Sequence, residues 1–122
     1  MALGPIYAVR IFVTDLDKAR PFYDSLGYEQ VNASDDFLIY RTGSADLIIE
    51  RADPGNTDEA DLIGRFVGAS FAVGDVKQAC RTLENLGVAI DSPPERQPWG
   101  GMLAHIRDPD GNVLTLVEVP DT

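Results

Sequence analysis

Histidine, cysteine and tryptophan occur once each in this 122-residue chain, and each scarcity excludes something. With Cys80 alone, no internal disulfide can form. With His105 alone, sites needing two histidines from one chain are excluded, along with most zinc sites. No run approaches the roughly 20 apolar residues of a membrane span. Basic residues are also few, 10 Lys and Arg against 20 Asp and Glu, a net charge of −10. Such a surface repels nucleic-acid phosphates and anionic membranes, so neither partner is expected. It favours a cationic ligand. The first five residues, Met1 to Pro5, lack a basic segment and an apolar run, so no secretory leader is expected and the cytoplasm is the default compartment.

What is present is a globular composition, 44% hydrophobic and 25% charged. The length suits one domain over residues 1–122, large enough to bury a core. The chain repeats itself at an offset of 60: Tyr7–Asp15 can be laid on Val67–Asp75, and Leu26-Gly27 then meets Leu86-Gly87. The repeat predicts a first module over about residues 5–52, a connector over about 53–65 and a second module over about 66–119.

Each half opens with an alternating strand. Tyr7, Val9, Ile11 and Val13 form one apolar face, and Val67, Ala69, Phe71 and Val73 its counterpart. A helix follows each, with Asp15 and Asp75 as N-caps and Gly27 and Gly87 as C′ residues. Cys80 falls on the apolar face of the second helix and reads as core. Pro21 predicts a kink or an early turn in the first. Strands are expected near Tyr28–Asn32, Phe37–Thr42, Asp46–Arg51, Val88–Ile90, Gly101–Arg107 and Val113–Glu118, with a proline-rich loop over Asp91–Gln97. Ala52–Gly64 reads as an acidic connector with a turn at Pro54-Gly55-Asn56. The fold class is therefore α+β, two tandem βαβββ modules.

Thr14-Asp15-Leu16-Asp17-Lys18-Ala19, Phe22-Tyr23 and Leu26-Gly27-Tyr28 resemble the first half of the vicinal oxygen chelate superfamily. This group holds glyoxalase I, bleomycin resistance proteins, fosfomycin resistance transferases and extradiol dioxygenases. Pro98-Trp99-Gly100-Gly101 and Asp108-Pro109-Asp110-Gly111-Asn112 resemble its C-terminal signature. The resemblance implies a curled mixed sheet forming a cup, with helices outside, and a homodimer. It also implies four metal-ligand positions, which fall here on Ala8, Glu50, Gly68 and Thr115. Three of these lack the usual ligand, so no metal and no cofactor are expected.

The same resemblance points Arg10, Phe12, Ile48, Glu50, Gly68, Ser70, Leu103, His105 and Thr115 into the cup, with Trp99 at its rim. Arg10 and Glu50 either pair with each other or anchor a polar ligand; a buried pair would need water or ligand nearby. His105 is either a hydrogen-bonded wall residue or an acid–base group. Trp99 either stacks on a flat or cationic ligand or closes one end of the core. Gly68, Ser70 and Ala72 are small and would leave room for a ligand. The expected function is metal-independent binding of an aromatic or cationic small molecule, as in antibiotic sequestration. The alternative is a glyoxalase- or dioxygenase-type lyase or isomerase, with an unusual metal site or His105 and Glu50 as acid–base groups.

Overall fold

A computed structural model describes residues 2–120. The elements run β1 (Ala8–Val13), α1 (Leu16–Asp24), β2 (Glu29–Ala33), β3 (Phe37–Arg41), β4 (Asp46–Arg51), α2 (Thr57–Ala60), β5 (Phe66–Ala72), α3 (Val76–Asn85), β6 (Ala89–Arg96), β7 (Met102–Arg107) and β8 (Val113–Glu118). They form two compact units, one up to Gly64 and one from Arg65 onward. Each unit holds one four-stranded mixed sheet, ordered β1-β4-β3-β2 in the first and β5-β8-β7-β6 in the second. The repeat thus appears as a repeated topology. In each sheet the opening strand lies parallel to the closing one. Such a pairing needs a crossover, and the helix with the two intervening strands supplies it.

In the first unit, one sheet face and one helix face meet. Leu16, Ala19, Phe22 and Tyr23 of α1 are buried, as are Ile11, Val13, Leu38, Tyr40, Leu47 and Ile49 of the sheet. Burying side chains of this size contributes roughly 1.5–3 kcal/mol each. The Tyr40 hydroxyl donates to Asp24 Oδ1 at 2.7 Å, so its polar end is satisfied. Burial and that neighbouring carboxylate push the Tyr40 phenol well above its ordinary pKa. In the second unit Val76, Cys80 and Leu83 of α3 pack with Met102, Ala104, Ile106, Leu114 and Leu116. Burial, and secondarily the charge of Glu84, raises the Cys80 thiol, which suits core rather than reactivity.

The helix ends follow from their sequences. Asp15 Oδ1 accepts from the N–H groups of Asp17 and Lys18, and Asp75 Oδ1 from that of Gln78. Past α3, Gly87 N–H donates to Glu84 O and Val88 N–H to Leu83 O, a complete Schellman motif with Gly87 at φ +91°. Gly27 lies one residue farther past α1 than expected, because that helix ends at Asp24.

Helix α1 holds Pro21 in its interior and runs on to Asp24, with no early turn there. Other expectations need correction. The proline-rich loop is instead strand: β6 reaches Arg96 and carries Pro93 and Pro94. It is an edge strand, and its register with β7 slips between Ile90 and Ser92 and again between Ser92 and Glu95. Edges and bulges are where a strand tolerates missing N–H donors. The connector holds a short helix, α2, capped by Asn56. Tyr7 precedes β1 and is 81% exposed, outside the apolar face assigned to it.

The Asp108–Asn112 signature is a turn anchored by two buried side chains, Asp108 and Asn112. Asp108 Oδ1 accepts from the N–H groups of Asp110 and Asn112, Asp108 Oδ2 accepts from Asn112 Nδ2, and Asn112 Oδ1 accepts from Arg65 N–H. The motif joins the β7–β8 turn to the entry of β5.

Candidate functional site

Alternation turns every second residue of each strand away from the helix. In the first unit that open face holds Arg10 and Phe12 of β1, Ile48 and Glu50 of β4, and Phe37 and Ile39 of β3. The register sets Phe12, Glu50 and Phe37 in one row and Arg10, Ile48 and Ile39 in the next. Arg10 grips Glu50 with two nitrogens: Nε donates to Oε2, and Nη2 donates to Oε1 at 3.2 Å. The bond to Glu50 and its charge push the Arg10 pKa further up. The Arg10 guanidinium also lies 5.2 Å from the centre of the Phe12 ring, within cation–π range. The expected pair exists, but it is not buried: the Arg10 side chain is 59% exposed and that of Glu50 26%. Solvent screens it, so it carries no large desolvation cost.

In the second unit the open face holds Phe66, Gly68, Ser70 and Ala72 of β5, Thr115 and Val117 of β8, and Leu103 and His105 of β7. Ser70, Thr115 and His105 are register partners across three strands. His105 Nδ1 and Thr115 Oγ1 are 2.9 Å apart, with the donor set by the imidazole tautomer. Thr115 is buried, so this bond orients the ring rather than presenting a nucleophile to substrate. Nε2 is the nitrogen left for a ligand. The Phe66 ring meets His105 edge to face, with centroids 5.7 Å apart. At the far end of β7, Arg107 pairs with Asp91.

Gly68 has a backbone role beside the expected one. It lies at φ +82°, and β5 takes four steps from Phe66 to Ser70 while β8 takes two from Val113 to Thr115. The residue is glycine because the bulge needs a left-handed backbone, not only because the face needs room. A Cβ there would meet nothing within 4 Å, so space is present as well.

Phe37, Ile39 and Phe66 were not singled out from the sequence, although strand alternation alone puts them on these faces. Trp99 lies in the hairpin loop between β6 and β7 and is 54% exposed, so it does not close a core. A separate groove of about 480 Å³ lies beside the start of α1 and includes Asp15, Arg20 and Arg51 in its lining. None of the expected ligand residues lines it. Asp15 is engaged as the α1 cap, Arg20 donates to Gln30, and Arg51 to Asp36.

The metal positions of the resembled superfamily do not fit a metal. Ala8 and Gly68 have no side-chain donor, the Glu50 carboxylate holds Arg10, and the Thr115 hydroxyl is bonded to His105.

Comparison with known proteins agrees with this architecture. The family model for the Glyoxalase/Bleomycin resistance protein/Dioxygenase superfamily matches residues 6–116. A bleomycin resistance protein of Klebsiella pneumoniae is 30% identical over 112 residues, covering 85% of this chain and 84% of that protein. Among solved structures, TnmS3, an antibiotic-binding protein from Streptomyces sp. CB03234, superposes with a TM-score of 0.80 at 26% identity, covering 98% of this chain and 99% of that one. A lactoylglutathione lyase from Agrobacterium tumefaciens shares the fold, with a TM-score of 0.75 at 24% identity over 96% of this chain and 95% of that one. Repeat, topology, signature turn and relatives converge: the chain belongs to the Glyoxalase/Bleomycin resistance protein/Dioxygenase superfamily.

Proposed function

We propose that this protein binds an aromatic or cationic small molecule on its open sheet faces and sequesters it without chemistry. The observation that carries the reading is the open face of the second unit. It combines half-exposed apolar side chains, Leu103 and Phe66, with one oriented imidazole, His105, and an exposed indole, Trp99. An apolar surface with few polar points is the usual character of a small-molecule site. Ser70 adds a hydroxyl, Thr115 holds the His105 ring in place, and the Gly68 bulge leaves space. Arg10, Phe12, Ile48 and Glu50 give the first unit's face a polar anchor on an apolar ground. The net charge of −10 favours a cationic ligand. The bleomycin resistance relative and the antibiotic-binding neighbour support the same reading. A homodimer belongs to the proposal, supported by large apolar side chains left exposed at Leu3, Ile6 and Val119. No helix among the described residues is long and apolar enough to cross a membrane.

Trp99 is the only tryptophan and therefore an unambiguous probe. Titration with bleomycin, and with a panel of flat aromatic and cationic antibiotics, is expected to quench its fluorescence and raise the melting temperature. Ser70→Leu, on ordinary strand backbone, fills the second unit's face and is expected to abolish that response while the protein stays folded. No response across the panel, or an unchanged affinity in Ser70→Leu, overturns the reading. Sedimentation at the 13.3 kDa monomer mass at micromolar concentration overturns the dimer.

A further inference from the structure

The two glycines after Trp99 answer different physical needs. Gln97 N–H donates to Gly101 O at 2.8 Å, and Gly100 N–H to Gln97 O at 3.0 Å. Pro98, Trp99 and Gly100 thus form a three-residue hairpin loop, with Gly100 in the left-handed position at φ +99°. Gly101 has no such φ. Its need is steric: a Cβ built on it would lie 2.0 Å from Trp99 Cζ3, 2.1 Å from Cη2 and 2.8 Å from Glu118 O. Carbon atoms pack at about 3.5–4 Å, so the indole and a side chain at 101 cannot coexist. The ring fills the space that such a side chain would occupy.

Alternation identifies the face. Met102, Ala104 and Ile106 are buried on the helix side, so position 101 falls with Leu103 and His105 on the open side. The indole therefore serves as the first side chain of a row continued by Leu103 and His105, at about 7 Å per step. Trp99 remains 54% exposed, with part of its ring turned to solvent.

We propose that Gly101 is a positioning residue: it seats the Trp99 ring on the open face of the second sheet, in line with Leu103 and His105, as a platform for a flat ring of the ligand. This rests on the ligand-binding reading above.

The test is Gly101→Ala, read first without ligand. The tryptophan emission is expected to shift to the red, and acrylamide quenching to rise about twofold, as the ring leaves its seat. Affinity for bleomycin is expected to fall about tenfold, the scale of one lost stacking contact. The Glu118 carbonyl makes folding a concern, so the substitution is also made in Trp99→Ala. There it is expected to cost far less stability than in the wild type, because the ring is gone. An equal loss in both backgrounds assigns Gly101 to the Glu118 contact and overturns the proposal. Unchanged emission, quenching and affinity in Gly101→Ala also overturn it. Trp99→Ala binding bleomycin as tightly as wild type overturns the platform. The ligand reading fails separately, when bleomycin neither quenches the wild-type tryptophan nor raises its melting temperature, whatever acrylamide reports about the seat.

Discussion

In the first unit β1 runs against β4 without a break from Ala8 to Val13; in the second, β5 loses step with β8 around Gly68. The first open face carries a charged pair, Arg10 and Glu50, and the second a neutral pair, His105 and Thr115. Behind these faces the two units are nearly interchangeable: a capped helix on the buried side of a sheet with the same strand order. The helix-facing side is constrained by packing, where a change of one methylene is felt. The open side, Thr115 apart, stays partly or fully exposed, so its chemistry is freer to differ. The repeat therefore identifies the scaffold, and the departures from it identify where function resides.

The strongest way to break this comparison lies in the turns before the closing strands. Asp108 holds three N–H groups in the second unit, whereas the first uses the Thr42 hydroxyl, which donates to Ala45 O and accepts from Ser44 N–H. Asp108→Ala strands buried donors and is expected to cost about 3 kcal/mol, against about 1 kcal/mol for Thr42→Ala. Urea denaturation of both variants measures the gap, and equal losses would show that the two turns are equivalent after all.

A middle-sized effect separates the opening strands. Gly68→Ala is expected to destabilise by about 1–2 kcal/mol from backbone conformation alone, since its Cβ would meet no neighbour within 4 Å. At the matching position, Ala8→Gly should cost only about 0.5–1 kcal/mol, the entropic effect of glycine in a strand. Thermal melts of the two decide it; a neutral Gly68→Ala would mean that the bulge does not depend on a left-handed residue.

The smallest effect is a pH dependence centred on the first unit. All four tyrosines, Tyr7, Tyr23, Tyr28 and Tyr40, lie in the first. The Tyr40 phenol is raised in the folded state, so its contribution to stability is complete below about pH 10, the unfolded value, and falls as pH rises above it. The loss should approach at most about 1.4 kcal/mol per pH unit. Tyr40→Phe is expected to flatten the slope in denaturation curves at high pH. A residual slope belongs to Tyr28, which burial also raises, and to Cys80 of the second unit. An unaltered slope would mean that the Tyr40 phenol is not protected.

Much of this architecture was legible in the sequence because it is locally encoded. Asp15 and Asp75 cap within three residues, Gly87 closes its own helix, and alternation marks both opening strands. The Arg10–Glu50 pairing was one of two readings open once the family resemblance put both residues on one sheet face. What escaped depends on partners distant in sequence or on backbone angles. Pro93 and Pro94 read as loop until β6 is known to be an edge. Gly68 reads as a small residue until its φ is known. Phe66 acquires meaning only beside His105, and Gly101 only beneath Trp99.

The two bulges of β6 have a consequence for behaviour at high concentration. An exposed strand edge offers N–H and C=O groups on which another chain can template, the usual start of edge-to-edge aggregation. Pro93 and Pro94 remove donors from β6, and the register slips beside them bend whatever ladder could form there. The corresponding edge of the first unit, β2, has no proline; all five of its residues are exposed, and its protection is a single slip at Gln30 and Asn32 together with the charge of Glu29. Crowded or partly unfolded chains should accordingly stick to one another first along β2.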